Sequence, residues 1–347
     1  MVRANRLPGG AVLLILCLNM VVAFSARADD DKQVSVGRPM LHTFVEIKAY
    51  GENAQTAIEA AMSEMERVNA LLNNYDPDSQ VSRINRNAGI RPVEISPETR
   101  QALQLAIGYA DVTGGAFDFT IGPLLKLWGF AQEKARLEGG EPDTGVLKDS
   151  LQLVDYRALR LMTVNKDIAE IYMAKLARKN MWIDVGAFSK GYVADRAMAI
   201  LGNSNIKDAL IAAGGTVCVM GEKPGGIPWL VGIRHPREEG MYMGAVPLKD
   251  RAISTSGDYE RFYKKDGKRK AHIIDPRSGR PVERMQSVSV IAKTGIESDA
   301  LSTGLFVLGP EKGIDLVDSL PDVEALLVTH DGRVLFSAGW PERKIAY

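Results

Sequence analysis

The stretch "SVSVIAKTGIESDALSTGLFVLG" (Ser287 to Gly309) joins an alternating, strand-like run to an apolar helix. The first part reads as a strand and the second as an apolar helix. In "ESDALSTGLFVLG" (Glu297 to Gly309), Asp299, Ser302 and Thr303 fall at i, i+3 and i+4. That spacing puts a carboxylate and two hydroxyls on one face, beside Ala and Leu. Two readings are open. Ser298 or Asp299 caps the helix, and its Ser and Thr hydroxyls bond back to preceding carbonyls. Alternatively, the face offers oxygens to a hard divalent cation such as Mg²⁺.

Working outward, "HTFVEIKAYG" (His42 to Gly51) alternates like a strand. Ile58, Met62, Met65, Val68 and Leu72 then form a helical stripe within Glu52 to Asn73. "NNYDPDSQVSRIN" (Asn73 to Asn85) reads as a loop of turn formers. Ser96 and Pro97 make an N-cap and first-turn pair for a helix carrying Leu103, Ala106, Ile107 and Ala110, which stops at Gly114–Gly115. Gln132 to Lys148 reads as a solvated connection, and "MWIDVGA" (Met181 to Ala187) as a strand leading to a helix over Ser189 to Leu201. Strand-like runs crowd the second half, and Asp266-Gly267 and Asp331-Gly332 mark two hairpins. Regular strand–helix alternation is missing. The fold class that follows is α+β, a mixed α/β unit with largely antiparallel strands and no linker dividing residues 29–347.

The chain has 347 residues, 46% apolar and 25% charged, an ordinary globular balance. Arg3 and Arg6 precede an apolar run from Ala11 to Phe24, followed by "SARA" ending at Ala28. A basic start, a short apolar core and an Ala-x-Ala exit read as a secretory signal peptide over residues 1–28. The run is short of the roughly 20 residues of a membrane-spanning helix, although an uncleaved anchor is the alternative. Without that segment the chain carries 40 basic and 43 acidic residues, so no nucleic-acid-binding surface is indicated. It also retains a single cysteine, Cys218, which excludes an intramolecular disulfide. Export without disulfides points to a periplasm or the outer face of an inner membrane.

G-x-G-x-x-G, P-loop, H-E-x-x-H and G-x-S-x-G patterns are absent. What remains is a series of Gly-flanked polar islands. "TGGAFDFTIGPL" holds Asp118 where glycines permit close backbone approach, or simply a helix C-cap and turn. "DVGAFSKGY" runs from a strand end into a helix start, where an anion fits the outward N–H groups and Lys190. "STSGDYER" (Ser254 to Arg261) packs hydroxyls, Asp258 and an Arg together. "HIIDPRSGRPV" places His272 and Asp275 on opposite faces of a short strand, with Asp275-Pro276 starting a turn.

These islands, in this order, closely resemble the ApbE family of flavin transferases, from about Met40 to near Gly339. The resemblance implies an enzyme that splits FAD, transfers FMN to a threonine or serine hydroxyl of a protein, releases AMP and requires Mg²⁺. It implies FAD contacts at Leu41, Tyr75, Ala116, Phe117, Asp118, Asp184, Lys190 and the His-Ile-Ile segment with Ile274. It implies metal ligands at the Ala187 carbonyl, Asp299, Ser302 and Thr303. Acceptors by resemblance are exported flavoprotein subunits of redox complexes. His42 and Phe188 depart from the family's usual small residues. For the base that takes the acceptor proton, His272 is the first candidate and Asp258 the second. An FAD pyrophosphatase and a non-catalytic periplasmic flavin-binding protein are the competing readings.

Overall fold

The computed structural model describes residues 32–131, 141–166, 169–265 and 268–341. The leader over residues 1–28, the Asp266-Gly267 turn and residues 132–140 lie outside the described residues.

Eight strands form the central sheet, in spatial order Gln33–Met40, Thr43–Tyr50, Ala209–Ala213, Thr216–Met220, Arg251–Gly257, Met285–Ala292, Glu324–Thr329 and Val334–Phe336. Every neighbouring pair is antiparallel. Spatial order follows chain order, and the helices and small hairpins are excursions from it. This is the mixed α/β, antiparallel class expected from the sequence.

One face of the sheet is covered by the helices Ala54–Leu72 and Ser189–Asn203, with Val45, Ile47, Ile211 and Ala213 packing against Ile58, Met62, Val193 and Ala197. The helix Gly295–Leu308 lies beside them, its Leu301, Leu305 and Phe306 against Val288 and Val290. The opposite face carries the hairpin Trp229–Arg234/Tyr242–Leu248, whose Trp229, Ile233 and Val246 pack on Val219, Ile253 and Ile291. Strand Met285–Ala292 is therefore shielded on both faces along its whole length. Its alternating serines do not face water. Ser289 instead shares a 2.8 Å hydrogen bond with Thr255 of the neighbouring strand.

Three expectations are corrected. The turn-rich segment after Asn73 gives way at Ser79 to a helix, Gln80–Arg86, because Ser79 Oγ accepts the Ser82 N–H at 3.0 Å and Val81 and Ile84 are buried. The charged connection contains a helix over Thr144–Leu151, with Asp143 capping Gly145 and Val146. "MWIDVGA" forms no ladder beyond a single parallel bridge between Ile121 and Trp182. Side-chain amides satisfy its backbone instead: Asn85 exchanges two hydrogen bonds with Ile183, at 2.7 and 2.9 Å, and Asn74 accepts from Val185 N. A strand-like run can be extended yet unpaired when buried amides take its donors and acceptors.

The helices Ser189–Asn203 and Gly295–Leu308 cross where only glycine fits. A Cβ on Gly191 would lie 2.2 Å from the Gly295 carbonyl oxygen, and one on Gly295 would lie 2.7 Å from Gly191 O. Gly191→Ala is expected to destabilise the fold by about 2–3 kcal/mol through this forced separation, read as a lowered urea midpoint at unchanged slope. A midpoint equal to that of the parent chain would show that the crossing can open freely.

Candidate active site

The two crossing helices cap each other. Phe188, at the N-cap of Ser189–Asn203, offers no side-chain cap. The first-turn N–H of Gly191 is taken by Asp299 Oδ2 of the other helix, at 3.1 Å. In return Asp195 accepts from Gly295 N at 2.6 Å and Ile296 N at 2.9 Å, beside the Thr294 N-cap. Asp299 therefore lies inside its own helix rather than at its cap, which Thr294 supplies. The expected back-bonding is present, Ser298 donating to Gly295 O at 3.0 Å and Ser302 to Asp299 O at 2.8 Å. Burial, with Asp299 and Glu297 nearby, raises the Asp195 carboxyl to about 6.

A ladder of hydroxyls joins this helix to strand Arg251–Gly257. Ser254 pairs with Ser298 at 2.8 Å and Ser256 with Ser302 at 2.8 Å, matching a strand step of two to a helix step of four. Ser302 is fully buried and donates back to the Asp299 carbonyl at 2.8 Å, so its hydroxyl is engaged within the core. Thr303 is half-buried and meets Ser256 at 3.2 Å. Asp299 Oδ1 makes no hydrogen bond among the described residues. The three groups expected as ligands, the Asp299 carboxylate, the Thr303 hydroxyl and the Ala187 carbonyl, are all hard oxygen donors, whose chemistry suits Mg²⁺ rather than a softer metal. No three His, Cys, Asp or Glu side chains converge among the described residues.

The site end of the sheet gathers the turn Leu41–His42, the turn Gly214–Gly215 and the strand end at Gly257. Leu41 and His42 both adopt left-handed backbone, with φ of 55° and 56°. Two such non-glycine residues in succession store strain of the kind found at ligand sites. His42 sets its ring edge against Tyr75 at 5.8 Å, leaving the Tyr75 ring 46% exposed. Burial and Asp184 raise the Tyr75 phenol, while a hydrogen bond with Arg261 opposes them. Asp184 is itself fixed by Asn74 Nδ2 at 3.1 Å and Gly186 N at 2.9 Å. Lys190 Nζ donates to Gly186 O at 2.8 Å, and its stem lies beside Gly214.

His272 faces this group. Its backbone N–H and its ring Nδ1 both reach the Arg261 carbonyl, at 2.9 and 3.2 Å. A carbonyl only accepts, so Nδ1 carries the proton and Nε2 keeps a lone pair. Burial, then the charges of Arg261 and Lys190, lower the imidazole to about 4, so it is neutral near pH 7.

The expected residues thus divide. Tyr75, Asp184, Lys190 and His272 come together, with the Leu41 turn at the rim, Asp299 and Thr303 on the helix Gly295–Leu308, and Ala187 in the turn before Ser189–Asn203. Phe117 does not offer its ring, which packs with Phe119 and Phe188 at centroid distances of 6.3 and 6.2 Å in the core. Ala116 and Ile274 are also core side chains, so ligand contacts there are left to backbone atoms. The Asp118 carboxylate is consumed by Thr120 N, Thr120 Oγ1 and Tyr156 N, beside an open hollow of about 540 Å³. Asp258 holds a bidentate pair with Arg237, both contacts at 2.7 Å, so each of its oxygens is engaged with a cation inside a residue only 5% exposed. Arg261, Asn74 and Ser256 were not singled out from the sequence, although all three sit within the islands it displayed.

The sequence model of the ApbE family matches residues 41–327. This chain belongs to that family. An FAD:protein FMN transferase of Treponema pallidum is 32% identical over 348 residues, 96% of this chain and 94% of that one. The protein of the same description from Escherichia coli (strain K12) is 33% identical over 265 residues, 75% of this chain and 73% of that one. The crystal structure of the ApbE protein from Thermotoga maritima aligns with a TM-score of 0.79 at 32% identity, over 90% of this chain and 100% of that one. The flavin transferase ApbE from Vibrio cholerae aligns at 0.75 and 28%, over 89% and 98%. Membership of the ApbE family makes the chain an enzyme of the transferase class.

Two buried groups in this ApbE-family chain titrate in opposition. Asp195, raised from 3.8 to about 6, holds its proton to higher pH when folded, so its contribution is full below 3.8 and is lost as pH rises through about 6. His272, lowered from 6.5 to about 4, stays neutral when folded, so its contribution is present above 6.5 and is lost as pH falls toward 4. Between about pH 4 and 6 the two slopes offset each other. Unfolding free energy of Asp195→Asn is expected to climb more steeply with pH than that of the parent, and His272→Gln to decline. Urea titrations across this range check both signs, and parallel curves for all three proteins would refute the assignment.

Proposed function

We propose that the chain transfers the FMN half of FAD to a serine or threonine hydroxyl of an exported protein, in a Mg²⁺-dependent reaction that releases AMP. The observation that supports it best is the convergence of Lys190, Arg261 and a neutral His272 on one side of Tyr75, next to the oxygen face of Asp299 and Thr303. The two cations suit a pyrophosphate, and the half-exposed Tyr75 ring offers a flat surface to an isoalloxazine. His272 Nε2 accepts the proton of the attacking hydroxyl. The hydroxyl oxygen bonds to the FMN phosphorus, and the bond from that phosphorus to the AMP oxygen breaks. Asp184, held by Asn74, keeps the loop into Lys190 in place, so positioning rather than covalent catalysis carries the rate. Asp299, Thr303 and the Ala187 carbonyl would hold the metal, which when bound neutralises charge on the pyrophosphate oxygens. The signal-like leader supports action in the periplasm on exported flavoprotein subunits of redox complexes.

Incubation with FAD, Mg²⁺ and a candidate exported acceptor tests the reading. Acceptor that becomes fluorescent and gains the mass of FMN is the expected result; free FMN and AMP alone would make the chain a pyrophosphatase, and unchanged bound FAD a carrier. Asp299→Asn is the informative metal variant, because its amide oxygen can still accept from Gly191 N. It is expected to melt close to the parent while transfer falls at least roughly 100-fold, with partial recovery at high Mg²⁺. Full transfer by this variant would remove Asp299 from the metal site.

A further inference from the structure

The hairpin Trp229–Arg234/Tyr242–Leu248 lies on the sheet face opposite the helices, yet its connecting loop reaches the site. His235 Nδ1 accepts the N–H groups of Arg237 and Glu238, at 3.2 and 2.9 Å, which shapes that loop. Arg237 then closes its fork on Asp258, with both contacts at 2.7 Å, and Arg269 stands 3.6 Å away on another hairpin. Asp258 is 5% exposed and its own N–H donates to Gln286 O at 2.9 Å, so the residue is fixed at backbone and side chain alike. Tyr259 folds its ring over Gly257, and Arg234 stacks on Tyr259 at 5.0 Å. The turn so anchored ends at Arg261, whose carbonyl receives both the backbone N–H and the Nδ1–H of His272.

We propose that Asp258 is a positioning residue: clamped by Arg237 and Arg269, it fixes the Arg261 carbonyl that holds His272 in its Nδ1–H tautomer with Nε2 presented to the acceptor hydroxyl. Asp258 thereby acts through Arg261 rather than as a base. A bidentate fork fixes direction as well as distance, which a single charge contact does not. The Nδ1 bond decides which nitrogen is left to take a proton. The hairpin on the far face of the sheet becomes part of the catalytic apparatus through one arginine.

The inference rests on His272 serving as the base, so His272→Ala is measured alongside. In Asp258→Asn and Arg237→Gln, kcat for FMN transfer is expected to fall roughly 10- to 100-fold through misplacement of the imidazole. KM for FAD should change less than about two-fold, because neither residue is assigned to FAD. In the ¹⁵N spectrum of the protein without FAD, His272 is expected to move from a single Nδ1–H pattern toward a mixture of tautomers. Should Asp258→Asn fail to fold, Arg237→Gln, altered at the more exposed partner, decides the matter alone. Loss of activity in His272→Ala with unchanged kcat and ¹⁵N pattern in Arg237→Gln would overturn the positioning role. Near-normal transfer by His272→Ala would instead overturn the base assignment beneath it.

Discussion

The reciprocal capping of the helices Ser189–Asn203 and Gly295–Leu308 is the constraint on which the remaining structure depends. Each helix brings an aspartate to the other's N-terminal N–H groups, where negative charge is favoured by the exposed donors and by the helix dipole. Asp299 serves Gly191, and Asp195 serves Gly295 and Ile296. Such an exchange works only if the two backbones nearly touch, and Gly191 and Gly295 supply that approach. The buried hydroxyl ladder from Ser254 to Ser298 and from Ser256 to Ser302 then ties the pair to the central strand. Position along each helix is therefore fixed by polar contacts, while the apolar core supplies the driving force.

From that constraint the site follows. The carboxylate that caps one helix has its second oxygen turned away from the cap, and the Ala187 segment is the approach to the capped helix. Side-chain amides of Asn74 and Asn85 take over the backbone of the segment before it, so a chain that leaves no ladder is still held in one path. The left-handed Leu41–His42 turn, the Gly214 turn and the turn ending at Arg261 bring three further stretches to the same edge. Burial, reinforced by the charges of Arg261 and Lys190, holds the imidazole of His272 neutral there.

The sequence showed the helical stripe of Ile58 to Leu72, the Ser96–Pro97 start and the antiparallel character of the second half, because these depend on local period and capping. It was less informative where burial overrides period. Met285–Ala292 alternates serine with valine yet has no wet face, and Met181–Ala187 looks like a strand yet pairs with side chains. In the site, Tyr75, Asp184, Lys190 and His272 were legible through the ordered islands that resemble the family. Phe117 and Ile274 were equally legible there, but their rings and branches turn inward. Asp258 looked like a free carboxylate until Arg237, distant in type of element and on the other side of the sheet, proved to occupy it.

Sequence by itself determined the fold class, the family and the cast of polar residues, since periodicity, turn chemistry and ordered motifs are written along the chain. Tertiary structure alone decided which of those residues are partners. In "SVSVIAKTGIESDALSTGLFVLG", i, i+3, i+4 spacing placed Asp299, Ser302 and Thr303 on one face but did not say what that face meets. Gly191 N, Ser256 and the crossing helix answer that question, and they lie far from the stretch in sequence. A hydrogen bond needs its acceptor within about 3 Å, a condition that spacing along one helix leaves open and only the packing of a second can meet.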